Sequence, residues 1–272
     1  MILHTDGQVK YLSFKSLDDL GCVRNYFTTR TGGVSTGYHS SMNLSFTNGD
    51  DPENIYRNFD IISKVVGVAC DHMVRTHQTH TTNVMRVTEE HVFDDGRLHD
   101  QEWSDVDGLM TDVPGIALVT FYADCVPLYF VDPVRRTIAL SHSGWRGTAA
   151  GMAKVTVEGM CREFDTDPSD IYAAIGPSIC KDHYEVSEVV ADAFRRAFPD
   201  SYPGMLENGK EPGKYQLDLC EANRQYMIQA GIPGDHIEVS GMCTFSEREL
   251  FFSHRASDGK RGNMAAFLVL EQ

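Results

Sequence analysis

Apolar positions along this chain follow two periods, and the helical one is the easier to place. Asp51-Pro52-Glu53 puts an acceptor side chain at a cap with proline just inside. Ile55, Phe59, Ile62, Val65 and Val66 then recur at helical spacing until Gly67 supplies a stop. Gly147 to Phe164 predicts a second helix, and Ser187 to Phe198 a third with Val189, Val190, Ala193, Phe194 and Ala197 on one side. Leu217 to Ala230 predicts a fourth, capped by Asp218 and stopped by Gly231.

Strand-like runs fill most of the rest. They are Val23–Thr29, Gly108–Thr111, Ile116–Tyr122, Val126–Val131, Thr137–His142, Ile171–Ile175, Ile237–Ser240 and Ala265–Leu270. Asp132-Pro133 marks a tight turn. The close spacing of the four runs between Gly108 and His142 predicts an antiparallel meander. Val74 to His80 reads as extended, with Gln78 and His80 on one face and His77 on the other. Glu89–Asp105 and the Gly- and Pro-rich Ser201–Gly213 read as loops. So does Arg30–Gly37, whose glycines permit close backbone approach but which no Gly-Lys-Ser/Thr closes into a Walker motif. With no internal repeat, heptad run or linker, the economical reading is one mixed α/β domain over residues 1–272.

Composition narrows the partners. A formal net charge of −15 argues against a nucleic-acid groove and against an anionic membrane surface. A few converging arginines still suit a small anion such as phosphate. No apolar run approaches the roughly 18 residues of a spanning helix, and no signal peptide is evident, so the expected location is cytoplasmic. The seven cysteines are odd in number and contain no Cys-x-x-Cys pair, which fits a reducing compartment. Six of them read as small buried apolar side chains.

The seventh, Cys125, stands in Ala-Asp-Cys-Val-Pro at the end of one strand, and His142 stands at the end of another. Pairing of those strands brings a thiol and an imidazole together, with His80 as a third member. Two imidazoles and a thiolate suit a catalytic zinc with one open position. The same set suits copper, Cu2+ in a polyphenol oxidase, although the chain lacks the His-x-His pairs of multicopper oxidases. Cys125 and His142 alone suit a metal-free Cys–His hydrolase, and all three suit a non-catalytic zinc-stabilised fold.

Several blocks carry a resemblance: TTRTGGVSTGYHSSMNLS, QTH, ADCVPLYFVDP with SHSGWRG, GPSIC with YEV, DLCEANR and LFFSHR. They are similar, in this order, to the laccase-domain (polyphenol oxidoreductase) family, also described as zinc-dependent purine nucleoside phosphorylases. The resemblance implies a layered α/β/β/α-type fold with a mixed, largely antiparallel sheet. It implies Zn2+ on His80, Cys125 and His142. It implies phosphorolysis of adenosine, inosine and S-methyl-5′-thioadenosine, with purine nucleosides and phosphate as partners and adenosine deamination as a further activity. Departures are Ser143 for a family alanine, Ser246 for the second Cys of Cys-Thr-x-Cys, and Arg261-Gly262-Asn263-Met264 for Thr-Gly-Arg-Met.

Deamination lacks the His-x-Glu and Pro-Cys-x-x-Cys signature of zinc nucleobase deaminases, so the acid/base group is open, with Asp124 and Gln78 as candidates. Phosphorolysis needs a phosphate clamp, for which Arg30, Arg146 and Arg255 are the candidates.

Overall fold

The terminal apolar run Met264–Leu270 is a strand whose alternate side chains enter two different cores. Met264, Ala266, Leu268 and Leu270 meet Tyr129 and Leu140, while Ala265, Phe267 and Val269 meet Ile55, Phe59 and Ile62. A strand buried on both faces reads as a continuous apolar run, which is how this one stands in the sequence.

The structure, a computed structural model, describes residues 1–199 and 204–272. Its strands begin with β1 (Ile2–Asp6), β2 (Val9–Ser13), β3 (Val23–Thr28), β4 (Met73–Arg75) and β5 (Val84–Arg86). β6 (Gly108–Thr111), β7 (Ala117–Tyr122), β8 (Val126–Asp132), β9 (Thr137–Ser143) and β10 (Tyr172–Ile175) follow. β11 (Glu185–Ser187), β12 (Leu206–Asn208), β13 (Lys214–Leu217), β14 (Ile237–Val239) and β15 (Met264–Leu270) complete them. One six-stranded sheet runs β1-β2-β3-β15-β7-β4 and a second runs β14-β10-β8-β9-β6-β5, with a small sheet β11-β13-β12 beside them. Pairing is antiparallel except for β4 with β7, β5 with β6 and β10 with β14.

The helices are α1 (Lys15–Asp18), α2 (Pro52–Val66), α3 (Trp145–Ala149), α4 (Met152–Phe164), α5 (Glu188–Ala197) and α6 (Leu219–Gln229). α2 covers the outer face of the first sheet, and α4, α5 and α6 cover the outer face of the second. The two sheets share the core that holds Leu118, Tyr129, Leu140 and Leu268. The layering is therefore α/β/β/α, and the mixed α/β fold class is the one expected.

The expected meander is not formed. β8 and β9 pair as a hairpin and β9 pairs with β6, but β7 lies in the opposite sheet between β15 and β4. Short spacing said that these strands turn back, not which sheet they join. The chain changes sheets at Ala123-Asp124-Cys125, where Asp124 adopts φ 88°. The helix expected from Gly147 starts at Trp145 and breaks at Gly151, whose φ of 81° separates α3 from α4. A five-residue α3 adds little dipole beside His142.

Within the expected Ser201–Gly213 loop, Leu206–Asn208 is a strand, and residues 200–203 lie outside those described. Strands β1, β2 and β5 and the small sheet's β11 and β13 were not expected at all. The caps of α2 match their sequence: Asp51 accepts from the Glu53 amide, and Gly67 closes the helix at φ 68°.

Candidate metal centre and its cavity

His142 projects from β9 and is fully buried; Pro127 of β8 lies directly opposite it in the ladder. Cys125 immediately precedes β8, so the hairpin register carries its thiol to the same end of the sheet. His80 arrives differently. β4 stops at Arg75, and the residues after it form a loop in which His80 takes φ 67°. The expected alternation of His77 against Gln78 and His80 therefore does not hold, and all three line one cavity.

The ligand atoms of His80, Cys125 and His142 lie within 4.8 Å of one another. Cys125 Sγ is 3.9 Å from His80 Nε2, and the two imidazole rings meet edge to face at 5.1 Å between centroids. Gly144 makes this approach possible. A Cβ there would sit 2.6 Å from His80 Cδ2 and 3.1 Å from Cys125 Sγ, closer than carbon tolerates.

Asp107 holds the group together, and the sequence reading missed it. Its carboxylate is wholly buried and meets His142 Nδ1 at 2.8 Å. It also accepts the backbone N–H groups of Thr79, His80 and Thr81, each at 3.0 Å, and the Thr81 hydroxyl. Burial would raise this carboxyl, but the hydrogen bond and charge of His142 and the Thr81 and Thr79 amides outweigh it and hold Asp107 at about 2. An ionised acceptor on Nδ1 assigns a hydrogen to that nitrogen and leaves Nε2 as the one that can bind an ion once its own proton is displaced. Burial likewise pushes the Cys125 thiol up, but His142 and then His80 bring it down to about 6. Burial pulls His142 down, and Cys125 and Asp107 together lift it to about 9. Without a cation the pair is thus a thiolate beside an imidazolium. One soft and two imidazole donors, one backed by a carboxylate, fit a zinc-type ion with an open position.

The cluster forms one end of a cavity of about 400 Å³, a size suited to a small-molecule ligand. Arg75 on its wall is buried, stacks on Phe46 at 4.8 Å and pairs with Asp100. Arg261, His254, Phe46 and Phe121 also face it. Arg261 leans on Asn263, and its buried Nε has no partner among the described residues.

The other expected site residues are distributed as follows. The Gln78 carboxamide is occupied by the Phe121 backbone, accepting its N–H at 2.6 Å and donating to its C=O at 2.8 Å. Asp124 does not line the cavity. Its carboxylate accepts from the Thr244 hydroxyl and the Arg255 amide, both at 2.7 Å. Arg30 donates to the carbonyls of Ser40 and Arg248 and lies over Phe252, in a narrow crevice it shares with Arg248, Lys260 and Arg261. Arg146 stacks on Trp145 at 4.4 Å, and Arg255 lies over Tyr184 and donates to the Glu185 carbonyl. Neither lines the cavity, though both act electrostatically on Tyr184, as Cys125 does. Two of the cysteines expected to be apolar fillers, Cys180 and Cys243, instead face His183.

A layered α/β protein with a His₂Cys cluster, a buried carboxylate behind it and a polar cavity in front offers a candidate metal site. The chain belongs to the family described as "Multi-copper polyphenol oxidoreductase laccase", which matches residues 24–271. "Purine nucleoside phosphorylase YlmD" of Geobacillus stearothermophilus is 39% identical over 241 residues, covering 89% of this chain and 88% of its own length. "Adenosine deaminase RL5", from an unknown prokaryotic organism, is 36% identical over 233 residues, covering 86% and 88%. The crystal structure of Bacillus licheniformis hypothetical protein YfiH superposes with a TM-score of 0.91 at 34% identity, covering 99% of both chains.

Proposed function

We propose that this chain is a zinc-dependent purine nucleoside phosphorylase that cleaves adenosine, inosine and S-methyl-5′-thioadenosine with phosphate, releasing the free base and the (methylthio)ribose 1-phosphate. Adenosine deamination is its second activity. The observation that carries the reading is the convergence of His80, Cys125 and His142 on the floor of a cavity that also presents Arg75 and Arg261. Relatives named for phosphorolysis and for deamination support the substrate class.

His80, Cys125 and His142 would hold the ion, and zinc in that place would supply Lewis acidity. Asp107 keeps His142 oriented with a hydrogen on Nδ1, so that Nε2 is the nitrogen offered to the ion. Arg261 lines the cavity and serves as the phosphate anchor. Arg30, behind it in the adjoining crevice, adds positive charge. In phosphorolysis a phosphate oxygen bonds to C1′ of the ribose as the C1′–N9 bond breaks, and the purine leaves with a proton. Asp124 is bound to Thr244 and Arg255, and a carboxamide does not titrate, so neither Asp124 nor Gln78 fits as that donor. His77 and His254 on the cavity wall are the groups able to donate. Gln78 instead fixes the backbone of Phe121, whose ring flanks the cavity.

The deciding experiment incubates zinc-loaded protein with adenosine, with and without phosphate, and follows adenine, inosine and ribose 1-phosphate. Adenine and ribose 1-phosphate appear only with phosphate, and inosine appears in both. A metal-loaded protein that forms neither base nor sugar phosphate defeats the reading. Activity that survives metal removal but not thiol alkylation returns the Cys–His hydrolase.

A further inference from the structure

A second cluster of metal-type ligands lies outside the cavity. Cys180 and His183 stand three apart on one turn, and Cys243 is brought beside them by the bridge between Ser178 and Cys243. The two sulfurs and His183 Nδ1 lie within 4.8 Å of one another, with sulfur-to-nitrogen distances of 3.2 and 3.6 Å. Donor atoms around a tetrahedral zinc stand roughly 3.3–3.8 Å apart, given bonds of about 2.0–2.3 Å. The Ser246 hydroxyl is 3.4 Å from the same nitrogen.

Hydrogen bonding alone accounts poorly for this arrangement. Two thiols and a hydroxyl converge on one imidazole nitrogen that has a single lone pair. Cys243 Sγ also receives the Cys180 amide at 3.3 Å, a contact suited to a thiolate. The ring of His183 is held in place by stacking on Phe245 at 4.4 Å. We propose that Cys180, His183 and Cys243 form a second zinc site, structural in role, with Ser246 or a water as fourth ligand.

The site has a task in the fold. It would join the segment around Ile179 to the segment around Thr244. Ile179 donates its amide to the Asp124 carbonyl at 3.0 Å, and Thr244 donates its hydroxyl to the Asp124 carboxylate at 2.7 Å. Asp124 immediately precedes Cys125, so the second ion clamps the turn that aims the first site's thiolate. The proposal does not depend on the nucleoside reading, since it rests on a different set of residues.

The test removes the first site's sulfur. Full-length Cys125→Ser protein, reduced and stripped of metal, is titrated with Co²⁺ and with Zn²⁺. It is expected to take up one equivalent of cobalt with thiolate charge-transfer absorption. Zinc should displace the cobalt and shield Cys180 and Cys243 from alkylation, read residue by residue by mass spectrometry. Adding Cys180→Ser and Cys243→Ser should abolish the absorption. The proposal is overturned if Cys125→Ser protein shows no thiolate absorption with cobalt, or if the absorption survives loss of both cysteines. It is also overturned if the two cysteines, freed from a disulfide by reduction, remain open to alkylation in excess zinc. Should the triple variant not fold, the alkylation pattern of Cys125→Ser protein decides alone.

Discussion

The Asp107 carboxylate meets His142 Nδ1 at 2.8 Å and takes the backbone amide of His80 at 3.0 Å, so one buried charge sets the position of two ligands. Asp107→Asn keeps the size but loses the charge and part of the accepting capacity. Metal affinity should fall on the order of 10- to 100-fold, as for other partners behind ligand histidines. Competition against a chelator measures it, and an unchanged affinity would show that His142 needs no such partner.

The same residue links stability to pH. Its carboxyl is held at about 2 in the folded chain, against roughly 3.9 when unfolded. A depressed folded value contributes stability that is complete above the unfolded value and is lost as pH falls toward the folded one. Metal-free protein should therefore lose stability between about pH 4 and pH 2, and Asp107→Asn should flatten that slope. Parallel denaturant curves across the window check it, and equal slopes would assign the acid sensitivity to other carboxylates.

Gly144→Ala tests whether the cluster depends on close packing. The added carbon would strike His80 at 2.6 Å and crowd Cys125, while the backbone at Gly144 has an ordinary extended conformation. The fold should persist, with a melting temperature within several degrees of the parent, while metal binding drops sharply. Retention of full metal content would mean that the loop carrying His80 relaxes freely.

How far the site could be read in advance follows from what each residue's neighbours encode. Asp132-Pro133 announced the β8–β9 hairpin, and with it the approach of Cys125 to His142. Asp51, Pro52 and Gly67 announced both ends of α2. Asp107 gave no such sign: it follows a polar stretch, and its burial depends on β9 and on the His80 loop arriving from elsewhere. The left-handed backbone of His80 and Asp124 is equally silent, because neither residue is a glycine. Cys180 and Cys243, 63 positions apart, meet only through tertiary contact. Arg30, Arg146 and Arg255 were candidates because each stands in a motif that carries the resemblance, but it is Arg75 and Arg261 that face the cavity.

Removal of metal should make Cys125 the fastest-alkylating thiol near neutral pH. Its thiolate forms at about 6, whereas burial lifts Cys70 to about 11 and Cys220 to about 12. Thiolate increases as pH rises through the pKa, so the Cys125 rate should climb around pH 6 and level off by pH 8, unlike that of an ordinary thiol. Added zinc should suppress it. Iodoacetamide labelling resolved by mass spectrometry tells Cys125 apart from Cys243. A Cys125 rate that rises only above pH 8, or that zinc leaves unchanged, would remove the thiolate from the site.

Arg261→Ala should separate the two proposed activities. A charge-assisted hydrogen bond to phosphate is worth about 1.5–3 kcal/mol, so its loss should raise the phosphate KM by roughly 10- to 100-fold. Deamination needs no phosphate and should change little. Arg30 has its donors engaged by the Ser40 and Arg248 carbonyls, so Arg30→Ala should give a smaller KM effect and a larger loss of stability. Arg146, exposed and stacked on Trp145, should be the least sensitive of the three. Steady-state kinetics with phosphate varied at saturating inosine, beside ammonia release from adenosine, give both numbers on the same preparations. If Arg261→Ala lowers both activities equally, the residue shapes the cavity and does not hold phosphate. If Arg146→Ala alone raises the phosphate KM, the anion enters from the Tyr184 side of Cys125.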